Sequence, residues 1–258
     1  MTDEQDTDQP PVRGAPAVRI TNSSTMTDAT HDATIDWNEF WHEADDDDRD
    51  SATPSTHHVR GLLDDLFDAK GVPDSFADVG CGPGIVAFHV ADRHPETAVV
   101  GYDAAETILD ENRERARDEG YENVDFERTV LPEFDPGRQF DVVLTFGTLA
   151  YVADSERALQ ALYDAVAPGG SLVLGYINRG GRAHYHRLLD DPDEHAPEGF
   201  DPGRFEERFK LVLDGESTLS YRQIRDALGT WPRSFWEFTE RPEQRWAWDH
   251  APLVWVPK

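Results

Sequence analysis

Short apolar runs alternate with amphipathic stretches of helical period through the middle of this chain. The runs at 76–80, 98–102, 123–128, 140–146 and 171–177 read as strands. The stretches at 84–93, 104–119 and 154–166 read as helices, and Gly120 is a natural stop for the second. Only the connection LPEFDPGRQ, ahead of the fourth strand, is too short for more than about one helical turn. Strands alternating with helices predict an α/β fold, a doubly wound and mostly parallel sheet with helices on both faces. Ahead of it, Ile35 to Ala44 carries Trp37, Phe40 and Trp41 at helical spacing. Pro54 and Ser55 then open a helix that ends near Gly71. After the fifth strand the alternation breaks. Residues 179–217 form a lid-like insertion, with aromatic and histidine residues gathered around His184 to His186 and Arg204 to Phe209. A capped helix follows from Ser217 to Gly229. WPRSFWEFTE and APLVWVPK close the fold as an antiparallel pair, making seven strands. Trp231, Trp236, Trp246, Trp248 and Trp255 crowd that closing region and read mostly as packing.

Composition sets the boundaries. Residues 1–33 are polar, acidic and rich in Pro, Thr and Ser, and are expected to be disordered. The remainder, 34–258, is one domain. Its core spans 55–178, the insertion 179–217, and a closing helix with strands 218–258. With 52 acidic residues against 24 basic ones, the net charge is −28. Such a surface repels nucleic-acid phosphates and anionic membranes, and its simplest explanation is adaptation to high salt, the mark of a halophilic source. No apolar run is long enough for a transmembrane helix, and the start MTDEQDTDQ has neither the basic nor the apolar region of a signal peptide. A lone cysteine, Cys81, excludes an intrachain disulfide and suits a reducing cytoplasm. His57 and His58 are adjacent on a helix and point apart, so they make no metal site, and no metal is expected.

The chemistry concentrates where the first strand ends. In FADVGCGPG, Gly80, Gly82 and Gly84 let the backbone turn sharply and approach a ligand, ahead of a helix N-terminus with free N–H groups. Their spacing is G-x-G-x-G, whereas the dinucleotide fingerprint is G-x-G-x-x-G. About 20 residues on, Asp103 closes the second strand, placed to bond ribose hydroxyls. Asp78, a carboxylate inside the first strand, is costly to bury unless it is paired. Cys81, between two of the glycines, reads as a small inert thiol packing beside the ligand.

At these residues the chain resembles the class I S-adenosylmethionine-dependent methyltransferases. That family's first motif, an acidic residue two positions before G-x-G-x-G, matches Asp78 with Gly80, Gly82 and Gly84. Its acidic end to strand two matches Asp103. Phe140 to Val152 resembles its fourth strand and following loop. Ala161 to Ile177 resembles the helix, Pro-Gly-Gly turn and fifth strand. The resemblance covers about residues 55–178 and implies a Rossmann-like methyltransferase fold, S-adenosyl-L-methionine as cofactor and a small-molecule acceptor. The cofactor residues it implies are Asp78, Gly80, Cys81, Gly82, Gly84, Asp103, Ala104 and Phe146. Trp41, Tyr151, His184 and His186 are the acceptor-side candidates, the two histidines as bases, and no catalytic residue is assigned. One departure stands out. The acidic residue that many members carry after strand three is absent near Val130, which leaves a non-catalytic cofactor-binding or scaffold descendant as the alternative. The loop TFGTLAY also lacks the Asn/Asp-Pro-Pro-Tyr signature of enzymes acting on base amines or the Gln amide. A nicotinamide-dependent oxidoreductase is opposed by the glycine spacing.

Overall fold

The computed structural model describes residues 35–46, 49, 52–53, 56–197, 199–241 and 251–258. The expected acidic tail, Pro54, Ser55, Trp246 and Trp248 lie outside them. Strands β1 (Ser75–Val79), β2 (Ala98–Asp103), β3 (Val124–Arg128), β4 (Phe140–Phe146), β5 (Val166–Gly175), β6 (Arg233–Ser234) and β7 (Leu253–Pro257) form one sheet. Its order is β3-β2-β1-β4-β5-β7-β6. The first five strands run parallel, and β7 is antiparallel to both β5 and β6. The order reverses between β1 and β4, and a crevice opens beyond the strand ends at such a point.

Alternation along each strand sends side chains to two cores. Phe76, Val99, Val142 and Leu144 pack against helices Thr56–Lys70, Ile85–Arg93 and Glu106–Glu119. Ala77, Val79, Val100 and Val143 pack against helices Ser155–Asp164 and Tyr221–Leu228. Because both faces are covered, β1 is buried over four consecutive positions, Asp78 included. Side chains start the helices where the sequence offers them. Asp154 accepts from the Arg157 N–H at 3.1 Å, and Ser220 from the Gln223 N–H at 3.3 Å.

The structure corrects two of the predicted strands. β5 begins at Val166, earlier than 171, and ends at Gly175. Its register against β4 shifts between Phe140 and Val142, where Pro168 lacks a donor and Gly169 takes φ +88°. Of WPRSFWEFTE, only Arg233–Ser234 pairs as β6. The Ser234 hydroxyl then accepts from the Trp236 N–H at 3.3 Å and starts a 3₁₀ turn, Phe235–Glu237, that buries Phe235. The insertion folds as short helices, Arg179–Asp190, Pro192–His195, Pro202–Arg208 and Lys210–Asp214, started by Asn178 and Asp201 side chains. Among the described residues no helix is long and apolar enough to cross a membrane.

Candidate functional site

The turn after β1 is pinned from every side. Gly80, Gly82 and Gly84 take φ of +82°, +48° and +70°, a region costly for any residue with a Cβ. A Cβ on Gly80 would also collide with the Thr148 side chain. The Gly80 and Cys81 N–H groups both donate to the Tyr102 carbonyl, at 2.7 and 2.9 Å. Gly82 is held by two side chains. Its N–H donates to Asp103 Oδ2 at 2.9 Å, and its carbonyl accepts from Asn112 Nδ2 at 2.7 Å. Asp103 Oδ1 accepts from the Ala105 N–H at 3.0 Å, so one carboxylate joins the turn to the start of the next helix.

Asp78 lies behind that turn, only 4% exposed, on the same face of β1 as Phe76. Burial, with the Asp103 carboxylate as second cause, pushes its carboxyl up to about 7; a bond from the Ala87 N–H opposes this. A buried carboxylate beside a second one is a site that favours a cation. Burial, followed by the Asp103 and Asp78 carboxylates, pushes the Cys81 thiol well above its ordinary range. It is therefore a protonated, packed thiol rather than a nucleophile. The Cys81 thiol also fits against Gly101, where a Cβ would stand 3.1 Å from Sγ.

Aromatic residues wall the cleft. Helix Trp37–Glu43 lays Trp41 over the turn, where a Cβ on Gly82 would be 3.4 Å from its ring, and packs it on Ala105 and Ile108. Trp37 meets Tyr151 edge-on at 4.7 Å, and Tyr151 stacks on Phe209 of the insertion at 5.6 Å. Segments far apart in sequence thus converge on the loop after β4.

One cleft takes in Asp78, Gly80, Cys81, Gly82, Asp103, Ala104, Phe146, Trp41 and Tyr151, all anticipated from sequence. Three anticipated residues do not line it. Gly84 instead caps helix Ile85–Arg93 in the left-handed region, where a Cβ would meet the Phe88 ring at 2.9 Å. His184 and His186 ride on helix Arg179–Asp190, which turns Gly181 and Leu188 inward. His186 Nε2 lies 3.1 Å from the Leu213 carbonyl, and the His184 ring lies 6.4 Å from that of Tyr185. The candidate bases are thus outside the cleft. Sequence reasoning missed Thr148, Asn112, Thr129 and Leu131, while Trp37, seen only as one of three aromatics at helical spacing, joins Trp41 in the wall. Thr148 was within reach, since Gly147-Thr148 directly follows the strand carrying Phe146. Thr129 and Leu131 occupy the cleft wall where the acidic residue after strand three is absent. Asn112 carries no motif signal at all.

Residues 77–172 match the model of a family described as "Methyltransferase domain". The chain is 36% identical over 113 residues to a ubiquinone biosynthesis O-methyltransferase from Ruegeria pomeroyi, covering 43% of this chain and 44% of that protein. It is 32% identical over 129 residues to a trans-aconitate 2-methyltransferase from Streptomyces coelicolor, covering 50% and 42%. The chain thus spans under half the length of these curated relatives. The solved structure of the plantazolicin methyltransferase BpumL in complex with SAH superposes with a TM-score of 0.59. It covers 86% of this chain and 93% of the other at 14% identity, a likeness of fold.

Proposed function

We propose that this chain, whose motifs, strand order and domain match are those of the class I S-adenosylmethionine-dependent methyltransferases, transfers a methyl group from S-adenosylmethionine to a small-molecule acceptor. The observation that carries the reading is the turn held by Asp103 through the Gly82 N–H, with buried Asp78 behind it, in the crevice beyond β1 and β2. The residues fit the donor. Glycines leave open a cradle that Cβ atoms would crowd, and two carboxylates suit its ammonium and its ribose hydroxyls. Phe146, Thr129 and Leu131 offer an uncharged wall of the kind a purine ring needs. When bound, the donor supplies a methyl carbon activated by its sulfonium.

The chain's own work is positioning. Asp103 and Asn112 fix the Gly82 peptide on its two sides and so hold the turn in one conformation. Trp41 and Trp37 shield the turn from water. Methyl transfer to an amine, thiol or carbanion needs only orientation of the nucleophile, whereas a hydroxyl usually needs a base. The relative named as an O-methyltransferase of ubiquinone biosynthesis suggests an oxygen nucleophile. Isothermal titration in molar KCl with S-adenosylmethionine and S-adenosylhomocysteine tests the reading. Micromolar binding of both is expected. Absence of binding in folded protein overturns the donor site and brings forward the scaffold alternative.

A further inference from the structure

We propose, on the methyl-transfer reading above, that Arg49 is a positioning residue for donor binding: by clasping Glu111 it holds Trp41 over the glycine turn. Trp41 lines the cleft, and Arg49 follows it in sequence by eight positions. Nη1 and Nη2 of Arg49 donate to the two Glu111 carboxylate oxygens at 2.9 and 3.1 Å, a bidentate pair across 62 residues of sequence. Nη2 also donates to the Trp41 carbonyl at 3.2 Å, and Nε to the Ala44 carbonyl at 3.4 Å. Those carbonyls stand at the end of helix Trp37–Glu43, where the helix itself offers no partner. The Arg49 carbonyl in turn accepts from the Thr53 hydroxyl at 3.1 Å, which fixes the residue in place. One guanidinium therefore closes a helix end and ties it to a distant carboxylate.

The carboxylate it clasps stands on an element that already belongs to the site. Helix Glu106–Glu119 starts at Ala105, whose N–H bonds Asp103, and carries Asn112, whose side chain bonds the Gly82 carbonyl. Glu111 is the neighbour of Asn112. The same helix thus holds the turn through one residue and the Trp41 helix through the next. A second tie, the Thr107 N–H donating to Asn38 Oδ1 at 3.4 Å, is longer and involves no charge on the side chain. The Arg49 Cζ also lies 5.8 Å from the Trp41 ring centroid, which draws the ring toward the clasp. Exposed ion pairs contribute little when two long side chains must be ordered for one contact. Here a planar fork, once ordered, serves the carboxylate and two carbonyls together. Packing on Ala105 and Ile108 sets where the Trp41 ring rests, and the clasp keeps its helix there.

The test is calorimetric titration of the whole chain with S-adenosylhomocysteine at one KCl concentration, with a thermal melt of each sample. Binding by the parent checks the donor site itself. Arg49→Met and Glu111→Gln are each expected to weaken binding about fivefold while the melting temperature stays close to the parent's. Arg49→Lys, which keeps the charge and loses the fork, should fall between Arg49→Met and the parent. In a Trp41→Ala background, Arg49→Met should change affinity by less than about twofold, because the residue through which it acts is gone. A general structural role would cost the same in both backgrounds. Should Arg49→Met melt early, Glu111→Gln carries the comparison in its place. Parent-like affinity in the folded variant, an Arg49→Lys no better than Arg49→Met, or an undiminished loss in the Trp41→Ala background overturns the proposal and leaves the donor site standing. Failure of the parent to bind overturns both.

Discussion

At the scale of single residues, the groups of the site act on the stability of the fold in opposite directions. Asp78 is the clearest. Its carboxyl titrates near 7 in the folded chain, against an ordinary value of 3.8 when unfolded. Between those values the folded state holds a proton that the unfolded state has released, so stability falls as pH rises through that window. Asp78→Asn removes the burden. The variant is expected to melt above the parent at pH about 8, by a difference on the order of a few kcal/mol that shrinks to nothing below pH about 4. The same variant should bind S-adenosylmethionine more weakly, because the carboxylate that answers a cation is gone. Thermal melts across pH, paired with calorimetry, check both halves, and a variant less stable at high pH would contradict the burial argument. Asn112 works in the other direction. Only 3% exposed, it bonds the Gly82 carbonyl at 2.7 Å. Asn112→Leu leaves that carbonyl without its partner and should lose about 1–3 kcal/mol of stability, with a matching loss of donor affinity. Asp78 and Asp103 were legible because they stand at fixed offsets from the glycines. Asn112 was not, since an asparagine inside an amphipathic helix carries no mark of the turn it faces.

At the scale of elements, the site depends on pieces that lie outside the alternating core. Helix Trp37–Glu43 is short and begins with an Asp36 cap that accepts from Asn38 and Glu39 N–H groups. It holds to the fold through Trp41, Ala105 and Ile108, a cluster apart from the two main cores. Trp41→Ala should therefore weaken S-adenosylmethionine binding markedly, by about tenfold or more, while lowering the melting temperature little. Calorimetry and a melt on the same sample decide it: a large fall in melting temperature would place Trp41 in the main core instead. The insertion follows the same logic. Ala150, Ile177 and Val212 form a small core of their own, against which Tyr151, Tyr185 and Phe209 pack. Its four short helices escaped a period-based reading because none is long enough to show a clear apolar stripe apart from Arg179–Asp190. The histidines on that helix looked chemical in the sequence, yet its pitch directs His186 to the Leu213 carbonyl.

At the scale of the whole molecule, charge is the dominant fact. With 52 acidic residues against 24 basic ones, self-repulsion opposes the compact state and is relieved by screening. The melting temperature is expected to rise between about 0.1 and about 2 M KCl, a trend readable in one series of thermal scans. A flat or falling trend would show that local pairings such as Arg241 with Asp65, at 2.8 Å, absorb the repulsion. The order of strands and helices through the core, the parallel sheet and the glycine turn with its two carboxylates were all legible along the chain. They rest on local periods and short fixed spacings, which a sequence displays directly. The ends of β5 and the near absence of β6 were decided by tertiary pairing, where a register shift and a serine-capped turn overrode local pattern. The wall of the cleft is a tertiary matter too. Trp37 and Tyr151 come from segments more than a hundred residues apart and meet at the wall of the crevice that the sheet's reversal between β1 and β4 opens. Contacts of that kind leave no period and no spacing, so no reading of the chain alone brings them together.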